Sequence, residues 1–333
     1  MKEFAREHKI LLGAIISGIL AIVFFVGIHG SRVINPLDTG LCNASGWLTQ
    51  DLEQHYYGWL AFRNAPWTFP LGMFDTVTYP DKVSMIFADC IPLLAIIGKL
   101  FSFVLPAQFQ YFGIYGVLCY ILIALISYRI LNRYTKKTVY SIIGSLFFLI
   151  APILLHRTMV HEALASQWIL LWAIDMLLRI DKNTPKKKLY GELALLSFFA
   201  STIHMYYVLL CGVVLVGMCI KNICEEKSVR KTLTMLSIYI GEAAAIIFSL
   251  GGFSSGYETS DPDMLGAFNA NLDTFINPMS KSSIMYTQPL YNYGQVDGTG
   301  YLGVGVIIAC VVAVAIIFGG GSAKCVYARN ITL

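Results

Sequence analysis

Eight apolar runs divide this chain, at about 10 to 29, 86 to 104, 108 to 128, 138 to 155, 162 to 178, 190 to 220, 232 to 251 and 301 to 319. A helix needs roughly 20 such residues to cross the hydrocarbon of a bilayer, because each residue rises about 1.5 Å and the core is about 30 Å thick. With 56% hydrophobic and 13% charged residues over 333 positions, against roughly 25% charge in a soluble domain, the chain reads as an all-α polytopic membrane protein. The same composition excludes disorder, and the absence of a strongly basic face excludes nucleic acid as a partner.

The cations set the expected topology, since Lys and Arg stay on the cytoplasmic side during insertion. They cluster at Lys2, Arg6 and Lys9; at Arg129, Arg133, Lys136 and Lys137; at Arg179, Lys182 and Lys186 to Lys188; at Lys221, Lys227, Arg230 and Lys231; and at Lys324 and Arg329. Placing all five inside makes the run from 86 to 104 one crossing too many. That run carries Asp89, Pro92 and Lys99, and intramembrane charge is costly, so a re-entrant or juxtamembrane helix is expected there. The rival, a spanning helix at 86 to 104, puts Arg133, Lys136 and Lys137 outside. The run from 190 to 220 exceeds one helix, and His204 marks a turn between two tilted ones.

About eight transmembrane helices follow, in one membrane domain over 1–333. The first, 10–29, is long enough to remain as an anchor rather than be cleaved. An outer loop spans 30–107, a helical bundle 108–251, a second outer loop 252–300, and the last crossing 301–319. Of the eight cysteines, only Cys42 and Cys90 fall outside, and no CxxC or His-rich spacing occurs, so neither a disulfide nor zinc is expected. Rossmann and Walker patterns are absent too. Asp175, Glu192 and Glu242 fall near cytoplasmic helix ends and are expected to be solvated.

The densest signal lies in the first outer loop. Thr49 is a possible N-cap, Asp51 stands in a first turn and Pro66 stops the run, which predicts an amphipathic helix over 50–64. Leu52, Tyr56, Trp59, Leu60 and Arg63 share its apolar stripe, with Arg63 placed to reach a lipid phosphate, while Asp51 and His55, four apart, meet on another face. Two readings of that pair stand: a general base with its orienting histidine, or a local surface pair worth a few tenths of a kcal/mol. Asp51-Leu52-Glu53 offers carboxylates to a hard cation, but residues two apart point away from each other, so no obligatory metal or cofactor is expected, although a divalent cation is compatible.

Three further groups belong to outer turns. His156, Arg157 and His161, with Glu162 beside them, lie between two crossings. A guanidinium matches a phosphate with two parallel hydrogen bonds, which makes Arg157 the candidate for a phosphate, with snorkelling to headgroups as the alternative. His204 is either a structural hydrogen-bonder or part of the same site. Asp297, just before Gly298-Thr299-Gly300, either caps the last helix or binds a sugar hydroxyl.

These stretches resemble a known superfamily. A first helix, an outer loop with an early Asp on an amphipathic helix, and the half-helix Asp89-Cys90-Ile91-Pro92-Leu93-Leu94-Ala95 look like the GT-C membrane glycosyltransferases. Residues 51–63 with Trp67, Pro70-Leu71-Gly72, Phe109-Gln110-Tyr111-Phe112-Gly113 and Tyr301-Leu302-Gly303 are similar to an uncharacterised bacterial multi-pass family placed there. Members of that family extend further at the C-terminus, so a short or truncated member is expected. The resemblance implies transfer of a sugar from a polyprenyl-phosphate donor to a glycan or lipid-linked acceptor outside the bacterial cytoplasmic membrane. It implies Asp51 as the catalytic acid, assisted by His55, with Asp38 as second candidate. Arg157, His161 and Arg63 would hold the donor phosphate, and Asp38, His204 and Asp297 the substrates. A lipid-linked glycan transporter or flippase, and a non-enzymatic envelope assembly protein, are the alternatives.

Overall fold

The computed structural model describes residues 2–40, 42, 50–254, 272–280, 282–289 and 300–318. Asp297 and the C-terminal cations lie outside them. Among the described residues the only sheet is an antiparallel ribbon, Met73–Phe74 against Val83–Ser84, with Met73 opposite Ser84. Everything else regular is helical. The chain forms two compact units, one of residues 1–149 and 157–258, the other of 150–156 and 259–333.

Among the described residues eleven α-helices follow in order: α1 Lys2–His29, α2 Gln50–Asn64, α3 Pro92–Leu100, α4 Phe112–Thr135, α5 Thr138–Leu149, α6 Pro152–Arg157, α7 Gln167–Arg179, α8 Lys186–Ile203, α9 Met205–Glu226, α10 Val229–Ser249 and α11 Val304–Phe318. Four are long and apolar enough to cross a membrane: Glu7–His29 of α1, then α4, α9 and α10. By these helices the protein is an all-α integral membrane protein. The eight expected crossings correspond to eight helices, but the other four fall short for local reasons. Pro152 disfavours helical backbone just before it, and α5 ends at Leu149 with 12 residues. The run that begins at 162 spends its first residues in turns, leaving 13 to α7. The first turn of α8 is Lys186 to Lys188, and α11 has 15 residues.

Helix ends follow the local chemistry. Gly30, at φ +82°, closes α1 with its N–H donating to the Val26 carbonyl. His204 adopts extended backbone and breaks α8 from α9, and its Nδ1 accepts the Tyr206 N–H to cap the second helix. The run at 86 to 104 becomes a 3-10 turn, Met85–Ala88, and the nine-residue α3, which rises only about 13 Å. Pro92 occupies the first turn of α3, where its missing N–H costs nothing.

In the first unit α4 packs against α1, α5 and α7, while α9 contacts α7, α8 and α10. Lipid tails give helices little hydrophobic reason to associate, so close approach of small residues carries the packing. Ser17, Ser127, Ser141 and Ser145 are all buried, and a Cβ on Gly113 would sit 1.6 Å from the Val33 carbonyl oxygen.

The contacts also sort this unit by end. Buried Asp175 of α7 accepts from Arg129 at 2.5 Å, Arg133 at 3.0 Å and Arg179 at 3.0 Å, and Arg179 also holds Glu192 of α8. Asp175 is therefore not solvated as expected from its place near a helix end; three guanidiniums replace water. Tyr128 donates to the Ile10 carbonyl at 3.0 Å and Lys221 to the Leu177 carbonyl at 3.4 Å. The cationic ends of α1, α4, α7, α8 and α9 thus gather together. At the other end of α4 and α7, Tyr115 meets Ser166 at 2.6 Å.

Candidate functional site

That second end holds a cluster built from four remote segments. α2 supplies His55, the turn before α3 supplies Asp89, and the loop between α6 and α7 supplies His161. His204 comes from the α8–α9 break. On α2 the buried side chains are Leu52, His55, Tyr56, Trp59 and Phe62, so His55 belongs to the packed face. Trp59 Nε1 donates to the Phe109 carbonyl at 3.0 Å. Lys99 of α3 is buried and donates to the Phe62 carbonyl at 2.8 Å beneath the Phe62 and Trp67 rings, locking α3 to α2. Burial pushes the Lys99 pKa down.

Asp89 is held by its backbone as well as by its neighbours. Asp89 and Ile91 both take left-handed conformations, at φ 50° and 55°, which a β-branched residue such as Ile91 adopts only under constraint. The Tyr111 hydroxyl supplies one, donating to the carbonyl of Cys90 between them. From this segment the Asp89 carboxylate reaches His204 Nε2 through Oδ1 at 3.1 Å and His161 Nε2 through Oδ2 at 3.4 Å. Because His204 Nδ1 is already an acceptor, its neutral ring carries the proton on Nε2 and donates it to Asp89. Burial raises the Asp89 pKa, but the hydrogen bonds and charge of the two imidazoles outweigh it and hold the carboxyl well below the usual range.

His55 is 1% exposed, with its ring centroid 4.6 Å from that of His161. Burial first, and the His161 charge second, push its pKa down to about 3. The buried Nδ1 atoms of His55 and His161 have no hydrogen-bond partner. Beside them Glu162 is fully buried, its Oε2 accepting the Met159 N–H at 2.7 Å and its Oε1 unpartnered. Burial pushes the Glu162 pKa up to about 8. Room for it comes from Gly116, where a Cβ would lie 2.6 Å from Oε1.

Of the residues expected from sequence, the structure unites His55, His161 and His204. Asp51 stands exposed in the first turn of α2 and is not paired face to face with His55, which turns inward with the Leu52 and Trp59 stripe. Arg63 directs its guanidinium at the carbonyls of Ser102, Leu105, Pro106 and Ala107, at 2.7 to 3.3 Å. Asp38 pairs with Arg32 at 2.9 Å and accepts the Gly40 N–H. Arg157 is half-buried one turn before His161, whose N–H donates to its carbonyl at 2.8 Å. Cys42 and Cys90 are both free and buried. Sequence reasoning noted Asp89 as a charge within an apolar run and as the start of the half-helix, but not as a site residue. The sharper signal was that an acid directly before Cys-Ile-Pro must be held by protein or water.

What the helices and this cluster define is an integral membrane protein with a half-buried histidine–aspartate centre at one end of its bundle. Residues 18–333 match the family described as Domain of unknown function (DUF6311), and the chain belongs to that family. No curated protein matches it, and neither does any solved structure.

Proposed function

We propose that the chain is a GT-C-like membrane glycosyltransferase, moving a sugar from a polyprenyl-phosphate donor to a glycan or lipid-linked acceptor on the outer side of a bacterial cytoplasmic membrane. The observation that carries this reading is the ionised Asp89 carboxylate, fixed between two imidazoles at the end of the bundle opposite the cation clusters. With those clusters cytoplasmic, as the positive-inside rule requires, α1, α4, α5 and α7 to α11 are the crossings of this reading, the shorter ones completed by the turns that flank them, and Asp89 faces the outer leaflet.

Asp89, rather than Asp51, then takes the base role. The acceptor oxygen attacks the anomeric carbon as the bond to the donor phosphate breaks. Its proton passes to Asp89, and the electron pair of the broken bond leaves on polyprenyl phosphate. Arg157 and His161, on adjoining turns, neutralise that leaving group. A flippase is the second reading, favoured by Glu162, a buried acid with a free oxygen beside α4.

The test is to reconstitute the full chain in liposomes with a panel of labelled polyprenyl-phosphate sugars. Consumption of a donor, with a raised KM in Arg157→Ala, is the expected result. If every donor is consumed no faster than in protein-free vesicles, the transferase reading falls.

A further inference from the structure

The geometry points to a divalent transition-metal site formed by His55, Asp89 and His161, taking an ion of the zinc class. One ring nitrogen from each histidine and one carboxylate oxygen lie within 4.8 Å of one another. Ligands around a tetrahedral zinc stand roughly 3.4 Å apart, given bonds of about 2.0–2.2 Å. Side-chain rotation of about 1 Å closes that difference, and α2 and the 89–91 turn keep their backbones.

The apo cluster leaves polar atoms unsatisfied in a way that an ion repairs. His55 is 1% exposed, and the Nδ1 atoms of His55 and His161 are buried without partners. Such a group costs about 1–3 kcal/mol and calls for an explanation. An ion bonded to either of those nitrogens would satisfy it. Neighbouring groups support the carboxylate: His204 donates to Oδ1 at 3.1 Å and so presents Oδ2 toward His161. Outer contacts of this kind fix ligands and tune affinity. The residue types choose the ion. Two imidazoles and one carboxylate suit zinc, cobalt, iron or nickel, whereas magnesium and calcium require oxygen donors. Three protein ligands also leave a fourth position open, as in zinc sites that do chemistry, and the Asp89 side chain, 25% exposed, lies on the open side.

This site is not the Asp51-Leu52-Glu53 pair considered from the sequence, and its ligands come from segments too remote to form a linear motif. The site shares Asp89 and His161 with the proposed transfer chemistry, and an ion held there would take one Asp89 oxygen and one His161 nitrogen out of it; cation binding itself is measured without any sugar donor.

The experiment is a Co²⁺ titration of the full chain, purified in detergent and stripped with a chelator. Expected are one equivalent per chain, the visible d–d absorption of a four- or five-coordinate ion, and displacement of that signal by Zn²⁺. His55→Gln, Asp89→Asn and His161→Gln each weaken binding at least about 100-fold, and His204→Gln about 10-fold to 100-fold. His8→Gln and Cys224→Ser remove an exposed imidazole and an exposed thiol and leave the spectrum unchanged. Elution at the wild-type volume on size exclusion shows that a variant is folded. Wild-type protein alone also decides: a failure to take up one equivalent at micromolar Co²⁺ overturns the site. So does a signal lost in His8→Gln or Cys224→Ser but kept in His55→Gln. Stoichiometric binding by a chain that consumes no sugar donor supports the site and tells against the transferase reading.

Discussion

Replacing Asp89 by asparagine separates chemistry from folding at the proposed centre. Asparagine keeps the volume, tolerates the left-handed backbone at φ 50° better than any other non-glycine residue, and retains an oxygen to accept from His204. What is lost is the charge. A hydrogen bond to an ionised group contributes about 1.5–3 kcal/mol and a neutral one about 0.5–1.5, so the 3.1 Å contact weakens by about 1 kcal/mol and the longer 3.4 Å contact by less. Alanine would be a poorer probe, since it strands the buried His204 Nε2–H. The expected stability loss is therefore about 1–2 kcal/mol. Removing a general base, by contrast, slows transfer about 10²- to 10⁴-fold, equivalent to about 3–5 kcal/mol of activation free energy. The assay is single-turnover donor consumption in liposomes at matched folded yield, with Asp51→Asn alongside. Transfer by Asp89→Asn within about threefold of the parent, or loss confined to Asp51→Asn, would refute the assignment of Asp89.

Two further predictions concern the scaffold. Asp175→Ala leaves Arg129, Arg133 and Arg179 facing one another, and Arg133 Nη1 already lacks a partner; denaturant titration should show a loss of about 3–5 kcal/mol, and an unchanged midpoint would mean that the network does not tie α4 to α7. Arg63→Ala frees four carbonyls of 102–107, so limited proteolysis should quicken there while the KM for the donor stays constant. Arg63→Lys should restore protection only in part, because an ammonium lacks the planar fork, and a raised donor KM would return Arg63 to the phosphate.

Much of this architecture was legible before any coordinates. Helix 50–64 followed from an acidic first turn and a proline stop, and α2 spans Gln50–Asn64. His204 stood out in an apolar run too long for one helix, and the break falls there. Less readable was which way α2 would face. Periodicity grouped Asp51 with His55, since residues four apart are neighbours, but packing on α3 and the Met85–Ala88 turn drew His55 into the buried stripe and left Asp51 at the open first turn. The apolar runs counted 138–155 and 162–178 as full crossings, whereas α5 ends at Leu149 before Pro152 and α7 begins only at Gln167.

The cluster itself was hidden because its members share no periodicity, only a place where helices stop. Asp89 precedes the start of α3, His161 lies in turns before α7, and His204 is the break between α8 and α9. Each interruption frees backbone groups that lipid cannot satisfy, so irregular chain at membrane depth survives only against protein or water. Three interruptions meeting at one end of a bundle must share such a polar enclosure, and the side chains there must be ones that an enclosure rewards: imidazoles and a carboxylate that hold one another. Spacing along the chain is then irrelevant. The informative quantity is where each helix ends and toward which end of the bundle, and that becomes readable only once the cations have fixed the other end.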